Sequence, residues 1–411
     1  MKALFTTLPL PLTAGLFGVI GLCVGNALFR WVVRLTDEFH GDNPEPSTAV
    51  GGQRSEVGSR KSQESRAESP EPESPRDPDS PALDSGLSSL DSATTHHSPP
   101  STLNSQLSIL NSSARYVPLI GPLLSPAARR YRGVNVLGWG TVMELATAGL
   151  FAGFVVAKLR FDCQAVPEVR PDELWQYGRI VYHLVLVALL VAATGTDFRD
   201  YVIPDRIVIP GLCIGIAGAV LSGDLQTIHL WVDWNQEIPG YRGAYIPEWI
   251  KDHHHLHGLA WSLAGVAAGA GLTWIVRALS SWVLGQEALG FGDVTLMAMI
   301  GSFLGWQPVL AVLVLAPFCG LIVAVFVRLI AGRIIVPYGP FLAAATLIVL
   351  FGWRRLWTFE LDTGLREPLS VRRLFGDWVA IATLAGLAFA ALLVLLTLLR
   401  LYRSVPVKKR E

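Results

Sequence analysis

Two short stretches set carboxylates against apolar residues. GTDFRDYVIPD, Gly195 to Asp205, closes a long apolar run with Asp197 and Asp200, and QEALGFGDVTLMAMIGSFLGW, Gln286 to Trp306, places Asp293 directly ahead of another. By insertion scales an ionisable side chain inside hydrocarbon costs about 2.5–3.5 kcal/mol, so such a residue is a functional candidate by default. Two carboxylates held a few ångströms apart cannot both ionise. They share one proton and titrate as a unit. The ionised member can activate a water for attack on a peptide carbonyl, while the protonated one hydrogen-bonds the carbonyl oxygen and later helps the amine leave. That chemistry needs no metal and no cofactor, but it requires the two acids to meet in space, which spacing alone does not establish. The plainer readings are an N-cap for Asp293 and an interfacial acid paired with Arg199 for Asp197. Gly290 and Gly292, on either side of Phe291, allow a tight entry into the helix that follows. Asp200 and Asp205 read as solvated or turn residues, with IPD, around Pro204, breaking the chain before the next apolar run.

The elements that must position these acids are membrane spans. Of 411 residues 51% are hydrophobic and 16% charged, and the mean hydropathy is +0.42, far too apolar for a soluble protein of this length. Lys plus Arg and Asp plus Glu both number 33, so the net charge points to no nucleic-acid partner. Cys23, Cys163, Cys213 and Cys319 are scattered singly and read as small core residues, neither a zinc pair nor a disulfide framework. Apolar runs long enough to cross a core of about 30 Å fall near 8–33, 138–157, 180–196, 206–222, 257–284, 308–330, 337–353 and 377–400, with a shorter one near 294–305. The predicted fold is therefore all-α, a polytopic membrane bundle of eight or nine transmembrane helices. The first run has no small-residue cleavage site and leads into RWVVRL, so it reads as a retained span.

The chain divides into a first helix with its cytoplasmic end (1–41), a Ser-, Pro- and Glu-rich insert expected to be disordered (42–113), a membrane domain (114–403) and a basic tail (404–411). Positive charge at span ends is best placed inside by nine crossings from an external N-terminus, although Lys158, Arg160, Arg170, Arg354 and Arg355 then lie outside. Under that orientation Asp197 and Asp293 both emerge on the cytoplasmic side. The segment 223–256 is polar but rich in Trp and Tyr. Its DHHHLH run, Asp252 to His257, has metal-ligating residue types, yet it falls on the face away from the acids and reads as structural. His183 reads as a packed core residue, and Trp231, Trp234, Trp249, Trp353 and Trp357 as interface anchors. Gly301, Gly305 and the many span alanines are small residues suited to close helix packing.

These motifs resemble those of the type IV prepilin peptidases, membrane aspartic proteases with a GxGD signature. TDFRDYVIPD is similar to the family's first motif, an Asp seven residues ahead of the Pro of an IPD or LPD turn, which selects Asp197 rather than Asp200 by counting back from Pro204. EALGFGDVTLMAMIGSFLGW is similar to the second motif almost throughout and carries the other acid onto Asp293, with Gly290 and Gly292 supporting it. VPYGPFLAAATLI from Val336 resembles the late PFGPFLA segment, VMELATAGLF around Glu144 the opening of the second span, and GLCVGNALFRWVVRL from Gly21 a divergent first-span signature.

The resemblance implies an inner-membrane endopeptidase that cuts leaders from type IV prepilins or type II secretion pseudopilins at the cytoplasmic face, with the lipid bilayer as its surroundings. Such precursors carry a short basic leader ahead of an apolar helix. Many members also hold a domain with paired CxxC motifs between the first two spans, associated with N-methylation by S-adenosylmethionine. Here that position has no cysteine, which puts methyl transfer in doubt and leaves the cleavage chemistry untouched. The aromatic 223–256 segment is a second departure. The competing readings are a bifunctional peptidase and methyltransferase, and a non-catalytic transporter or scaffold, which would more naturally hold acids at mid-membrane and show internal repeats.

Overall fold

The computed structural model describes residue 5 and residues 8–42, 136–235, 245–287, 289–331, 337–362, 364 and 369–404. The expected insert at 42–113 and basic tail at 404–411 lie almost wholly outside them.

In chain order the helices are α1 (Leu10–Asp42), α2 (Val136–Phe161), α3 (Glu173–Asp200), α4 (Asp205–Ser222), α5 (Glu248–Asp252), α6 (His254–Leu284), α7 (Phe291–Leu304), α8 (Trp306–Ala331), α9 (Gly339–Trp357), α10 (Val371–Gly376) and α11 (Trp378–Ser404). A two-residue antiparallel pair, β1 (Glu360–Leu361) with β2 (Leu369–Ser370), precedes α10. Among the described residues eight helices, α1 to α4, α6, α8, α9 and α11, are long and apolar enough to cross a membrane. The all-α membrane bundle is as predicted.

The short run behind Asp293 forms a helix of its own. The 14 residues of α7 rise about 21 Å at about 1.5 Å per residue, less than a full hydrocarbon core. Its Leu296, Met297, Met299, Ile300 and Phe303 are fully buried, so α7 is enclosed by protein rather than by lipid. Gly305 separates it from α8 with φ +79°, a left-handed conformation that glycine enters without a Cβ clash.

Glycine also sets how closely α7 is held. A Cβ on Gly265 of α6 would strike the Gly301 carbonyl, and one on Gly301 would strike the Gly265 carbonyl. The two backbones therefore touch, as small residues permit in membrane interfaces. A similar contact joins α1 to α2, where a Cβ on Gly25 would come 2.6 Å from the Glu144 Cα. There Asn26 donates to the buried Glu144 carboxyl at 2.6 Å.

The bundle has two ends. At one of them, Cys163 accepts from the Arg354 amide, Thr227 donates to the Leu304 carbonyl at 3.0 Å, and Trp306 donates to the Leu230 carbonyl at 2.8 Å. This end gathers the start of α3, the α7–α8 junction and the end of α9. The aromatic segment closes it. One oxygen of Glu168 accepts from the indoles of Trp234, at 2.9 Å, and Trp357, at 3.1 Å, and Arg372 lies 4.2 Å over the Trp234 ring. Trp353 and Trp357, expected as interface anchors, are instead packed inside the protein against each other, the Trp357 N–H finding its partner in the Glu168 carboxylate.

The histidines near this end have individual partners. His257 Nε2 accepts from the Leu230 amide at 3.0 Å, His255 bonds the Val220 carbonyl at 2.7 Å, and His229 bonds the Glu168 carbonyl at 3.0 Å. Burial holds the His229 imidazole down at about 4, so it is neutral at physiological pH. His183 is fully enclosed, edge-on to Phe154.

Candidate active site

Both acids sit at the other end. The helix α3 starts from the closed end and delivers Asp197 in its last turn, and α4 begins beside it. The helix α6 runs in the opposite sense to α7, so Asp293, in the first turn of α7, returns to the level of Asp197. The start of α9 joins them there.

Asp197 is held by backbone geometry. Tyr201 ends α3 in the left-handed conformation, with φ 55°, and its amide donates to the Asp197 carbonyl at 3.1 Å. Pro204 caps α4, its carbonyl accepting from Ile207 at 3.0 Å. The VIP segment between them is thereby fixed in a turn, as the IPD reading expects. The Asp197 carboxylate reaches across to α9, where Oδ2 accepts from the Gly339 amide at 3.0 Å. A helix start offers unpaired amides and the positive end of the dipole, which suits a carboxylate. Gly339 is required here: a Cβ on it would fall on the Asp197 carboxylate and 3.0 Å from Ile203.

Asp293 is the third residue of α7, and its Oδ2 accepts from the Gly290 amide at 3.2 Å. Asp293 is therefore not the N-cap that its place ahead of the apolar run suggested: Gly290 is, and Asp293 reaches back from inside the first turn to its amide. Arg277 of α6 fixes the approach, donating to the Leu289 carbonyl and to Glu287, both at 3.0 Å. A Cβ on Gly292 would lie 3.1 Å from Ile203, so one side chain, Ile203, packs against the glycine beside each acid.

The two carboxyls are close enough for their charges to interact. Both are nearly enclosed, Asp197 at 5% and Asp293 at 7% exposure. Tyr338, which precedes Gly339, also faces the pair, and burial together with the Asp293 charge pushes its phenol up to about 12. The plainer pairing for Asp197 has a different partner in the structure, since the Arg199 guanidinium lies 3.7 Å from Asp37 of α1. Asp205 is exposed at the start of α4, as expected, whereas Asp200 is only half-exposed at the end of α3. Tyr338 and Gly339 were singled out by the sequence only through VPYGPFLAAATLI. Nothing in local periodicity marks a backbone amide 142 residues from the acid it holds.

Fold and site together define a multi-pass helical membrane protein with two aspartates converging at one end. Residues 244–325, which include Asp293, match the type IV leader peptidase family. A prepilin leader peptidase/N-methyltransferase of Pseudomonas putida is 31% identical over 185 residues, 43% of this chain and 53% of that protein. The one of Xanthomonas campestris pv. campestris is 26% identical over 239 residues, 57% and 66% respectively, and that of Myxococcus xanthus 31% over 160 residues, 39% and 38%. The chain thus spans about half the length of the curated relatives it matches. No solved structure matches it. The similarity expected from the two acidic motifs is the one these comparisons return.

Proposed function

We propose that the chain is a membrane aspartic endopeptidase that removes the leader from type IV prepilins or type II secretion pseudopilins. The observation that carries the reading is the convergence of Asp197 and Asp293, each held by a helix-start amide, at one end of the bundle. The matches to prepilin leader peptidases add support. In the mechanism that follows, one member of the pair is ionised and takes a proton from a water. The water attacks the scissile carbonyl, and the protonated member donates to the carbonyl oxygen and then passes a proton to the departing amine.

The location of the acids suits such a substrate. A precursor with a polar leader and an apolar helix exposes its junction at the membrane edge, and a pair at a helix-end level meets that junction without drawing the leader into hydrocarbon. On this reading the acid end faces the cytoplasm, from the inner membrane. The test is processing of a co-expressed precursor. Asp197→Asn and Asp293→Asn should each abolish it while the protein stays in the membrane, and Asp200→Asn should keep much of it; full processing by either of the first two would refute the dyad.

Methylation of the new N-terminus is the second reading, favoured by the names of the relatives alone. Mass spectrometry of the mature product decides it, an unmodified amine speaking against it.

A further inference from the structure

Two helix-start amides point at the acids, and both are already taken. The Gly339 amide donates to Asp197 at 3.0 Å and the Gly290 amide to Asp293 at 3.2 Å. Hydrolysis makes a further demand, because negative charge develops on the scissile carbonyl oxygen and donors aimed at that oxygen lower the barrier. The protonated aspartate supplies one such donor. The basic side chains at this end are engaged elsewhere, Arg199 with Asp37, Arg206 with Glu38, and Arg277 with Leu289 and Glu287. Tyr338 is not.

Backbone bonds fix where Tyr338 stands. Its carbonyl carbon is joined to the nitrogen of Gly339 that holds Asp197, and its carbonyl oxygen accepts from the Phe341 amide at 2.9 Å and the Leu342 amide at 3.3 Å as α9 begins. The ring is braced as well. Phe341 stands edge-on to it with centroids 6.3 Å apart, and Phe341 in turn rests on Gly320 of α8, where a Cβ would come 3.1 Å from its ring. The phenol lies near enough to Asp293 for that charge to act on it. Tyr338 thus touches one acid through its backbone and approaches the other through its side chain.

A tyrosine hydroxyl inside a protein ordinarily has a hydrogen-bond partner, as that of Tyr182 does in the Gly215 carbonyl at 2.7 Å. Among the described residues none bonds the hydroxyl of Tyr338. With its phenol pushed up to about 12, Tyr338 stays protonated at physiological pH and remains a donor. The hydroxyl is also what separates VPYGPFLA from the PFGPFLA segment it resembles, which has phenylalanine at this place.

We propose that the Tyr338 hydroxyl is a catalytic hydrogen-bond donor to the scissile carbonyl oxygen, acting beside the protonated aspartate as that oxygen becomes charged. The proposal rests on the peptidase reading and deepens it. The phenol keeps its proton throughout, and the protons that move are those of the water and the aspartate pair. Because the aspartate already donates to the same oxygen, Tyr338 adds one further neutral hydrogen bond, which corresponds to about tenfold in rate.

The test compares the full chain in lipid nanodiscs with Tyr338→Phe, using a type IV prepilin as substrate and two peptides that copy its cut segment. One peptide carries a difluoroketone at the cut, which adds water to give a tetrahedral diol with an oxygen in the place of the charged one. The other carries a reduced amide, which has no oxygen there. Tyr338→Phe should lower kcat about tenfold with KM and melting temperature unchanged, weaken the difluoroketone about tenfold, and leave binding of the reduced amide as it was. Unchanged kcat, or an equal loss of affinity for both peptides, overturns the role of the hydroxyl while wild-type cleavage keeps the peptidase. A wild-type chain that cleaves no prepilin and binds neither peptide removes both.

Discussion

At the residue scale the candidate site depends on where a Cβ is missing. Gly339 supplies an amide to Asp197 and leaves room for its carboxylate. Gly339→Ala keeps the amide but puts a methyl where the carboxylate sits, so Asp197 must swing aside or α9 must shift. Because a misplacement of about 1 Å can cost about 100-fold in rate, we expect a fall in kcat of that order for precursor cleavage, with a much smaller change in melting temperature. Turnover on a purified precursor, set against thermal denaturation of the same preparation, checks this. Unchanged kcat would show that the carboxylate position does not matter. The two acids themselves were legible in the sequence, because a carboxylate at the edge of an apolar run stands out against its surroundings. The amides that hold them were not, since every residue but proline has one and only the fold decides which is aimed at Asp197.

At the scale of elements the spans were readable because hydropathy over about 20 residues reports burial in lipid or protein alike. For the same reason it could not tell those two environments apart. The run behind Asp293 and the next span form nearly continuous apolar sequence, and what divides them is a positive φ at Gly305, one glycine among 39. Trp353 and Trp357 were misplaced on similar grounds, as Trp357 is drawn inside by Glu168, 189 residues away, and Trp353 packs on Trp357. The Gly265–Gly301 contact carries a prediction of this scale. Gly265→Val should force α6 from α7 and move Asp293 with it, because the added atoms would meet backbone, which cannot rotate away. Overpacking of this kind costs about 1–3 kcal/mol. The variant should therefore show both a lower melting temperature in detergent and loss of processing, whereas Gly271→Val, on the same helix with open space beside it, should show neither. Equal behaviour of the two would mean that close approach of α6 and α7 is not what sets the site.

At the scale of the molecule the proposed function turns on polarity across the membrane. The hydrogen bonds divide the chain into a closed aromatic end and an acid end, and the two ends alternate along the sequence. Asp205, which follows Asp197, and Glu287, which precedes Asp293, belong to the acid end, while Asp252, the last residue of α5, belongs to the other. This arrangement gives a direct test, since Asp205, Asp252 and Glu287 are exposed and can each be replaced by cysteine once Cys23, Cys163, Cys213 and Cys319 have been removed. In spheroplasts a membrane-impermeant maleimide should label Asp252→Cys at once, and should label Asp205→Cys and Glu287→Cys only after the membrane is opened. Labelling of Asp205→Cys and Glu287→Cys from opposite sides would separate the two acids and end the peptidase reading. Labelling of both from outside would keep the pair together but turn it toward the wrong compartment for a cytoplasmic leader. Positive charge near the two ends does not choose between these outcomes, since Arg30, Arg34, Arg206 and Arg277 near the acid end are matched by Lys158, Arg160, Arg354 and Arg355 near the other. The labelling experiment therefore decides orientation on grounds independent of the charge count.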